Sequence, residues 1–268
     1  MAVVKNSNVS GRDFYDQIYK TQLHAEAEWL RIGAIEKARS IQLLLSRNGI
    51  RPRTLLELGC GTGAVISECK RLGLASEFHA IDYSSEAIKY LESQQLGIHC
   101  AVADITDSNF ELKQRFDTVV LSHVIEHREE PSQFLQTVVR RVPFRYLIVE
   151  VPLENLWLSR SLWRFRSRVL RANRMLNVAG HVQFFSRKSA RELLSNASLI
   201  QKDDRPYLPT LSLEELDFIC KKDGLSRLMT LRKKATGHYL HKYLEPLWKR
   251  AYYSRHAGVD RRSWLRLC

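Results

Sequence analysis

Apolar residues return along this chain with two different periods. Between residues 12 and 48 they recur every three to four positions, which predicts one or two amphipathic helices ending at Asn48-Gly49 and Pro52. Beyond Pro52, short apolar runs alternate with helical patterns. The runs predict strands at Thr54–Leu58, Glu77–Asp82, Ile98–Ala103, Phe116–Ser122 and Tyr146–Val151. Helices are expected between them at Gly63–Leu72, Ser84–Leu96 with Ser84 as cap, and Pro131–Val142 with proline in the first turn. Residues 153–182 break the alternation. Ser186–Asn196 resumes it as a helix and Leu199–Tyr207 as a strand, 211–248 read as an inserted helical segment, and Ala251–Val259 reads as a final strand.

Strands and helices alternating at this spacing indicate an α/β fold, a doubly wound and mostly parallel sheet. One domain is expected: an N-terminal helical cap over 1–50, a core over 51–210 with a lid at 153–182, and a segment 211–268 completing the same domain. In such sheets ligands bind beyond the carboxyl ends of the strands, so the residues just after each strand carry the chemistry.

Composition narrows the class. Hydrophobic residues make up 44% of the 268, enough for a real core. No apolar run has the ~18 residues a spanning helix needs, and the first residues lack the apolar core of a secretory signal. The five cysteines, Cys60, Cys69, Cys100, Cys220 and Cys268, are odd in number and lack paired metal spacing, which fits reduced thiols and a cytoplasmic location. The net charge of +13 is one-sided: residues 1–150 hold 18 basic and 19 acidic side chains, and 151–268 hold 24 and 10. The basic half suits an anionic partner (substrate, phospholipid surface or nucleic acid), although solvated lysine and arginine would look the same.

The first strand runs into Glu57-Leu58-Gly59-Cys60-Gly61-Thr62-Gly63-Ala64. Gly59, Gly61 and Ala64 also satisfy the dinucleotide spacing G-x-G-x-x-G/A, so spacing alone is ambiguous. Glu57 argues against a pyrophosphate, which a carboxylate would repel. It suits a ligand carrying an ammonium and a sulfonium, such as S-adenosylmethionine (SAM). Asp82, at the end of the second strand, can accept from both ribose hydroxyls. Asp104, after the third, can accept the adenine amine, with Ile105 and Tyr83 flanking the ring.

The ordered series ELGCGTG, Asp82, Ala103-Asp104-Ile105 and Phe116-Asp117-Thr118-Val119-Val120 resembles the class I SAM-dependent methyltransferases over about residues 50–210. The resemblance implies a Rossmann-like sheet with an antiparallel last strand, for which Ala251–Val259 is the candidate. It implies SAM as cofactor and S-adenosylhomocysteine as product. It also assigns Glu57, Gly59, Cys60, Gly61, Thr62, Gly63, Asp82, Tyr83, Asp104, Ile105 and Ser122 to the cofactor site.

A second constellation follows the fourth strand, at Ser122-His123-Val124-Ile125-Glu126-His127, with Gly180-His181-Val182-Gln183-Phe184-Phe185-Ser186 further on. Offsets of three and four would put His123, Glu126 and His127 on one side of a helical turn. The pair of short motifs resembles a broad subgroup of small-molecule methyltransferases. Three readings stand. His127 or His181 deprotonates an acceptor hydroxyl, with Glu126 orienting the ring. Alternatively, His123, Glu126, His127 and His181 hold a divalent ion, similar to the small-RNA 3′-terminal 2′-O-methyltransferases, though the first acid of that family's motif is His123 here. Or the groups only brace the loop. Catalysis without a metal is expected.

Residues 156–171 place Leu158, Leu162, Phe165 and Val169 on one helical face and Arg160, Arg164, Arg168 and Arg171 on another, with Trp157 and Trp163. This basic lid would cover the acceptor cleft through Trp157, Trp163, Arg160 and Arg164, or rest against a membrane surface. The expected acceptor is a small molecule or a glycolipid-like intermediate, methylated at a hydroxyl. RNA 2′-O-methylation and a non-catalytic SAM-binding scaffold are the alternatives.

Overall fold

The computed structural model describes residues 11–152, 181–205, 213–222, 224, 226–234 and 265–267. The lid residues Trp157, Arg160, Trp163 and Arg164, and the candidate strand Ala251–Val259, lie outside these. Helix α1 (Gly11–Arg47) leads into β1 (Thr54–Leu58), α2 (Ala64–Arg71), β2 (Glu77–Asp82), α3 (Ser85–Ser93) and β3 (His99–Val102). Then come β4 (Phe116–Ser122), a 3-10 turn (Ile125–His127), α4 (Pro131–Arg141), β5 (Phe144–Glu150), α5 (Arg187–Asn196) and β6 (Asp203–Arg205). Helices α6 (Leu213–Lys222) and α7 (Arg227–Lys234) precede β7 (Leu265–Leu267).

The sheet order is β3-β2-β1-β4-β5-β7-β6, and β1 to β5 are all parallel. Strand β7 runs antiparallel to both β5 and β6. The antiparallel strand is therefore seen at Leu265–Leu267. The connection reverses between β1 and β4, and that reversal opens a crevice at the carboxyl ends of the two strands.

Every residue of β1 is buried, as a strand covered on both faces requires. Side chains alternate between the two faces. Leu55 and Val120 pack under α1, α2 and α3 with Ala38, Ile41, Leu44, Ile66, Ile88 and Leu91. Leu56, Leu58, Val119 and Leu121 pack under α4 and α5 with Phe134, Leu135, Val138, Leu193 and Leu194. Burying each of the Leu, Ile, Val and Phe side chains contributes about 1.5–3 kcal/mol. At the opposite end from the crevice, Asp117 Oδ2 accepts the Arg53 and Thr54 amides at 2.7 and 3.2 Å, and Thr54 Oγ1 accepts the Asp117 amide at 2.9 Å. This latch sets the register of β1 against β4.

Several bounds differ from the sequence expectation. Helix α3 ends at Ser93 rather than Leu96, because Gln95 and Gly97 take positive φ. Among the described residues of the strand expected at Leu199–Tyr207, only Asp203–Arg205 pair in the sheet, with β7. The described part of 211–248 is helical, as expected, and forms two helices. Helix α1 comprises two helical pieces meeting at Gln22, whose backbone (φ −141, ψ 28) is not helical. Among the described residues no helix is long and apolar enough to cross a membrane.

Candidate active site

The glycine loop leaves β1 at the crevice. Gly59, Gly61 and Gly63 all take positive φ, at 71°, 53° and 75°. A side chain there would be strained, and a Cβ on Gly59 would meet Val124 Cγ2 at 2.7 Å. The loop is held to β2, since the Gly59 and Cys60 amides both donate to the Ile81 carbonyl, at 2.8 and 3.2 Å. Asp82 ties the same loop to α3: Oδ2 accepts the Gly61 amide at 2.7 Å and Oδ1 the Ser84 amide at 2.9 Å. Burial pushes the Asp82 carboxyl above its ordinary range, against the pull of these amides.

Glu57, near the end of β1, is 2% exposed. Its Oε2 accepts the Ile66 amide of α2 at 2.8 Å. Burial raises its pKa to about 8, despite that bond and the Lys37 charge. Cys60 is buried with its thiol toward the Gly61 carbonyl. Thr62 is buried, and its hydroxyl has no hydrogen-bond partner among the described residues. Ile105 is buried beside the crevice. Ser122 donates to Glu150 Oε2 at 2.5 Å, so its hydroxyl is committed to the end of β5.

Asp104 and Tyr83 sit under the first turn of α1. Asp104 Oδ1 accepts from the Thr106 amide and hydroxyl at 2.9 and 2.6 Å, and Oδ2 is paired with Arg12. Burial opposes ionisation of Asp104, but the Thr106 bonds and Arg12 hold its carboxyl below the ordinary value. The Arg12 guanidinium lies 4.7 Å from the Tyr83 ring centroid, and the Tyr83 hydroxyl donates to the Arg12 carbonyl at 3.1 Å.

Past β4 the chain turns sharply at His123, whose φ is +56°. The left-handed turn keeps His123 beside Glu126, as expected, but outside the group that His127 joins. His123 points to two acids, with Nδ1 2.9 Å from Glu126 Oε1 and Nε2 3.7 Å from Glu150 Oε1. Burial and Lys37 work against its charge, but Glu126 and Glu150 prevail and raise its pKa to about 9. The same imidazolium offsets the burial penalty on Glu126, and Lys37 followed by the imidazolium offsets it on Glu150, so both acids are held below the ordinary carboxylate value.

His127 instead joins His181. The Val182 and Gln183 amides both donate to the Glu126 carbonyl, at 2.9 and 3.0 Å, and strap the second motif onto the 3-10 turn. The His127 and His181 rings then lie 4.9 Å apart, edge to face. One ligand atom each from Glu126, His127 and His181 falls within 4.8 Å of the others, an arrangement that could hold a cation. His123 is not in this group.

Four participants escaped the sequence reading. Tyr15 places its ring edge-on to His127 at 5.0 Å, with its hydroxyl 3.5 Å from Nε2. Tyr19 lies over Gly61, where a Cβ would meet its hydroxyl at 2.5 Å. Arg12 belongs to the same helical stretch. Glu150 ends β5 as Asp82 ends β2, so the rule that marked Asp82 would have marked it too.

The fit to SAM follows from these groups. Left-handed glycines leave no room for side chains in the loop, the acids Glu57 and Asp82 are buried beside it, a donor set suited to a cationic and hydroxylated ligand, and a buried Thr62 hydroxyl is left over. Fold and site together define a class I SAM-dependent methyltransferase. The chain matches the methyltransferase domain family over residues 29–199 and belongs to it. A ubiquinone biosynthesis O-methyltransferase of Caulobacter vibrioides is 36% identical over 91 residues. That match covers 32% of this chain and 35% of the relative, about a third of its length. A solved SAM-dependent methyltransferase of Thermotoga maritima, described as a possible histamine N-methyltransferase, shares the fold at TM-score 0.51 and 15% identity, over 73% of this chain and 86% of that one. The magnesium protoporphyrin IX methyltransferase of Synechocystis PCC 6803 with bound SAM aligns at TM-score 0.50 and 14% identity, over 74% and 90%.

Proposed function

We propose that the enzyme methylates a hydroxyl of a small-molecule or glycolipid-like acceptor, with His127 or His181 as the proton acceptor. SAM supplies an activated methyl on a sulfonium, so the protein's main task is to align the acceptor oxygen and remove its proton. The observation that carries this reading is the strap from Val182 and Gln183 to the Glu126 carbonyl. It sets two imidazoles side by side next to Val124, the residue that abuts Gly59 of the cofactor loop. Glu126 is wholly buried and faces the pair from within, where it orients and stabilises the ring that takes up the proton. Glu57 supports the methionine end, Asp82 the ribose and Asp104 the adenine. The basic stretch around Trp157, Arg160, Trp163 and Arg164 suits an anionic acceptor or a membrane surface. The curated relative's role in ubiquinone biosynthesis supports a hydroxyl acceptor.

A second reading has a specific observation in its favour. Glu126, His127 and His181 converge within 4.8 Å, which suits divalent-ion-dependent methylation, including that of an RNA 2′-hydroxyl. One experiment separates the two: methyl-labelled SAM incubated with the enzyme and a cell extract, with and without chelator, then resolved into RNA, lipid and small-molecule fractions. Chelator-resistant label in lipid or small molecules supports the first reading. Chelator-sensitive label in RNA replaces it with the second.

A further inference from the structure

The first turn of α1 reaches the cofactor crevice, and Arg12 takes part of it. Two of the contacts that Asp104 and Tyr83 would offer an adenine are held by one side chain. Asp104 Oδ1 is already satisfied twice by Thr106, which leaves Oδ2 as the acceptor for an exocyclic amine, and Oδ2 is where Arg12 binds. A guanidinium is flat, donates in its own plane and stacks on aromatic faces. Over Tyr83, at 4.7 Å, it presents the shape and donor pattern of an aminopurine edge.

We propose that Arg12 is a built-in competitor for the adenine position, an autoinhibitory latch that cofactor binding must displace. The inference rests on the reading that places adenine at Asp104. The non-helical backbone at Gln22 separates the latch-bearing piece of α1 from the rest of the helix, whose buried residues include Ala38, Ile41 and Leu44. The same short piece carries Tyr15 onto His127 and Tyr19 onto the glycine loop. Because the Arg12 and Asp104 side chains are 48% and 23% exposed, the latch is weak enough to yield to a ligand.

The test is calorimetric titration of the full chain with S-adenosylhomocysteine. Arg12→Ala should tighten Kd by about two- to tenfold, the scale of a part-exposed ion pair, because the variant no longer competes. Asp104→Ala should weaken binding, and adding Arg12→Ala to it should then change nothing. Unchanged or weaker binding in Arg12→Ala, with Asp104→Ala weakened, would overturn the latch and leave the adenine placement standing. Unchanged binding when Asp104→Ala is added to Arg12→Ala, where no latch can compensate, would overturn both.

Discussion

His123 Nδ1 lies 2.9 Å from Glu126 Oε1, and this ion pair is what turns Glu126 inward beneath His127. The ring's pKa rises from 6.5 to about 9, so its stabilising effect is complete below about pH 6.5 and is lost as pH rises through 9. Glu57 adds a second falling component, from 4.5 to about 8. Above pH 8 the loss belongs mainly to His123. Thermal melts of the wild type should fall between pH 8 and 9, and His123→Gln should flatten that fall, with about 1–3 kcal/mol at stake. Identical pH profiles for the two proteins would remove the charge from His123.

Glu57 is mostly protonated at pH 7 by itself, since burial holds its pKa at about 8. A bound ammonium above the loop would favour the carboxylate. Cofactor binding at pH 7 is therefore expected to release up to about one proton. Calorimetry in buffers of different ionisation enthalpy measures this, and Glu57→Gln should abolish it. Release that persists in the variant would take Glu57 out of the cofactor's reach.

Asp82→Ala removes the acceptor of both the Gly61 and Ser84 amides and, on the proposed cofactor placement, the ribose contact. Cofactor affinity should drop by about 1–3 kcal/mol, the scale of lost charge-assisted bonds. Unaltered affinity by titration would place the ribose elsewhere.

Gly63 caps α2 at φ 75°, and an added Cβ would meet both Leu91 methyls at 2.5 Å. Gly63→Ala should destabilise by about 2–4 kcal/mol through left-handed strain and overpacking. Chemical denaturation reads this out, and a midpoint equal to wild type would contradict the loop geometry.

His127→Ala and His181→Ala should leave cofactor affinity unchanged and slow turnover by about 10²–10⁴ if either ring is the proton acceptor. Tyr15→Phe, which removes only the hydroxyl 3.5 Å from His127, should have a smaller effect. Full activity in both histidine variants would reduce the pair to a brace for the loop.

Local pattern alone determined the alternating strands, the glycine loop, and the acids Asp82 and Asp104 at strand ends, because periodicity and turn chemistry act over a few residues. Fold class and family followed from those features. It was silent wherever partners are distant in the chain. His123 had helical spacing to Glu126 and His127; it does meet Glu126, but a left-handed backbone and the charge of Glu150, 27 positions on, keep it out of the group that His127 joins. Tyr15 reached His127 across 112 residues, and Arg12 reached Asp104 across 92. Glu57 was legible as an acid at the loop, but the packing of α2 decided that it is buried and titrates near 8. Tertiary structure made these decisions because a charge in a low-dielectric crevice answers to every group packed around it, and sequence distance does not enter that sum.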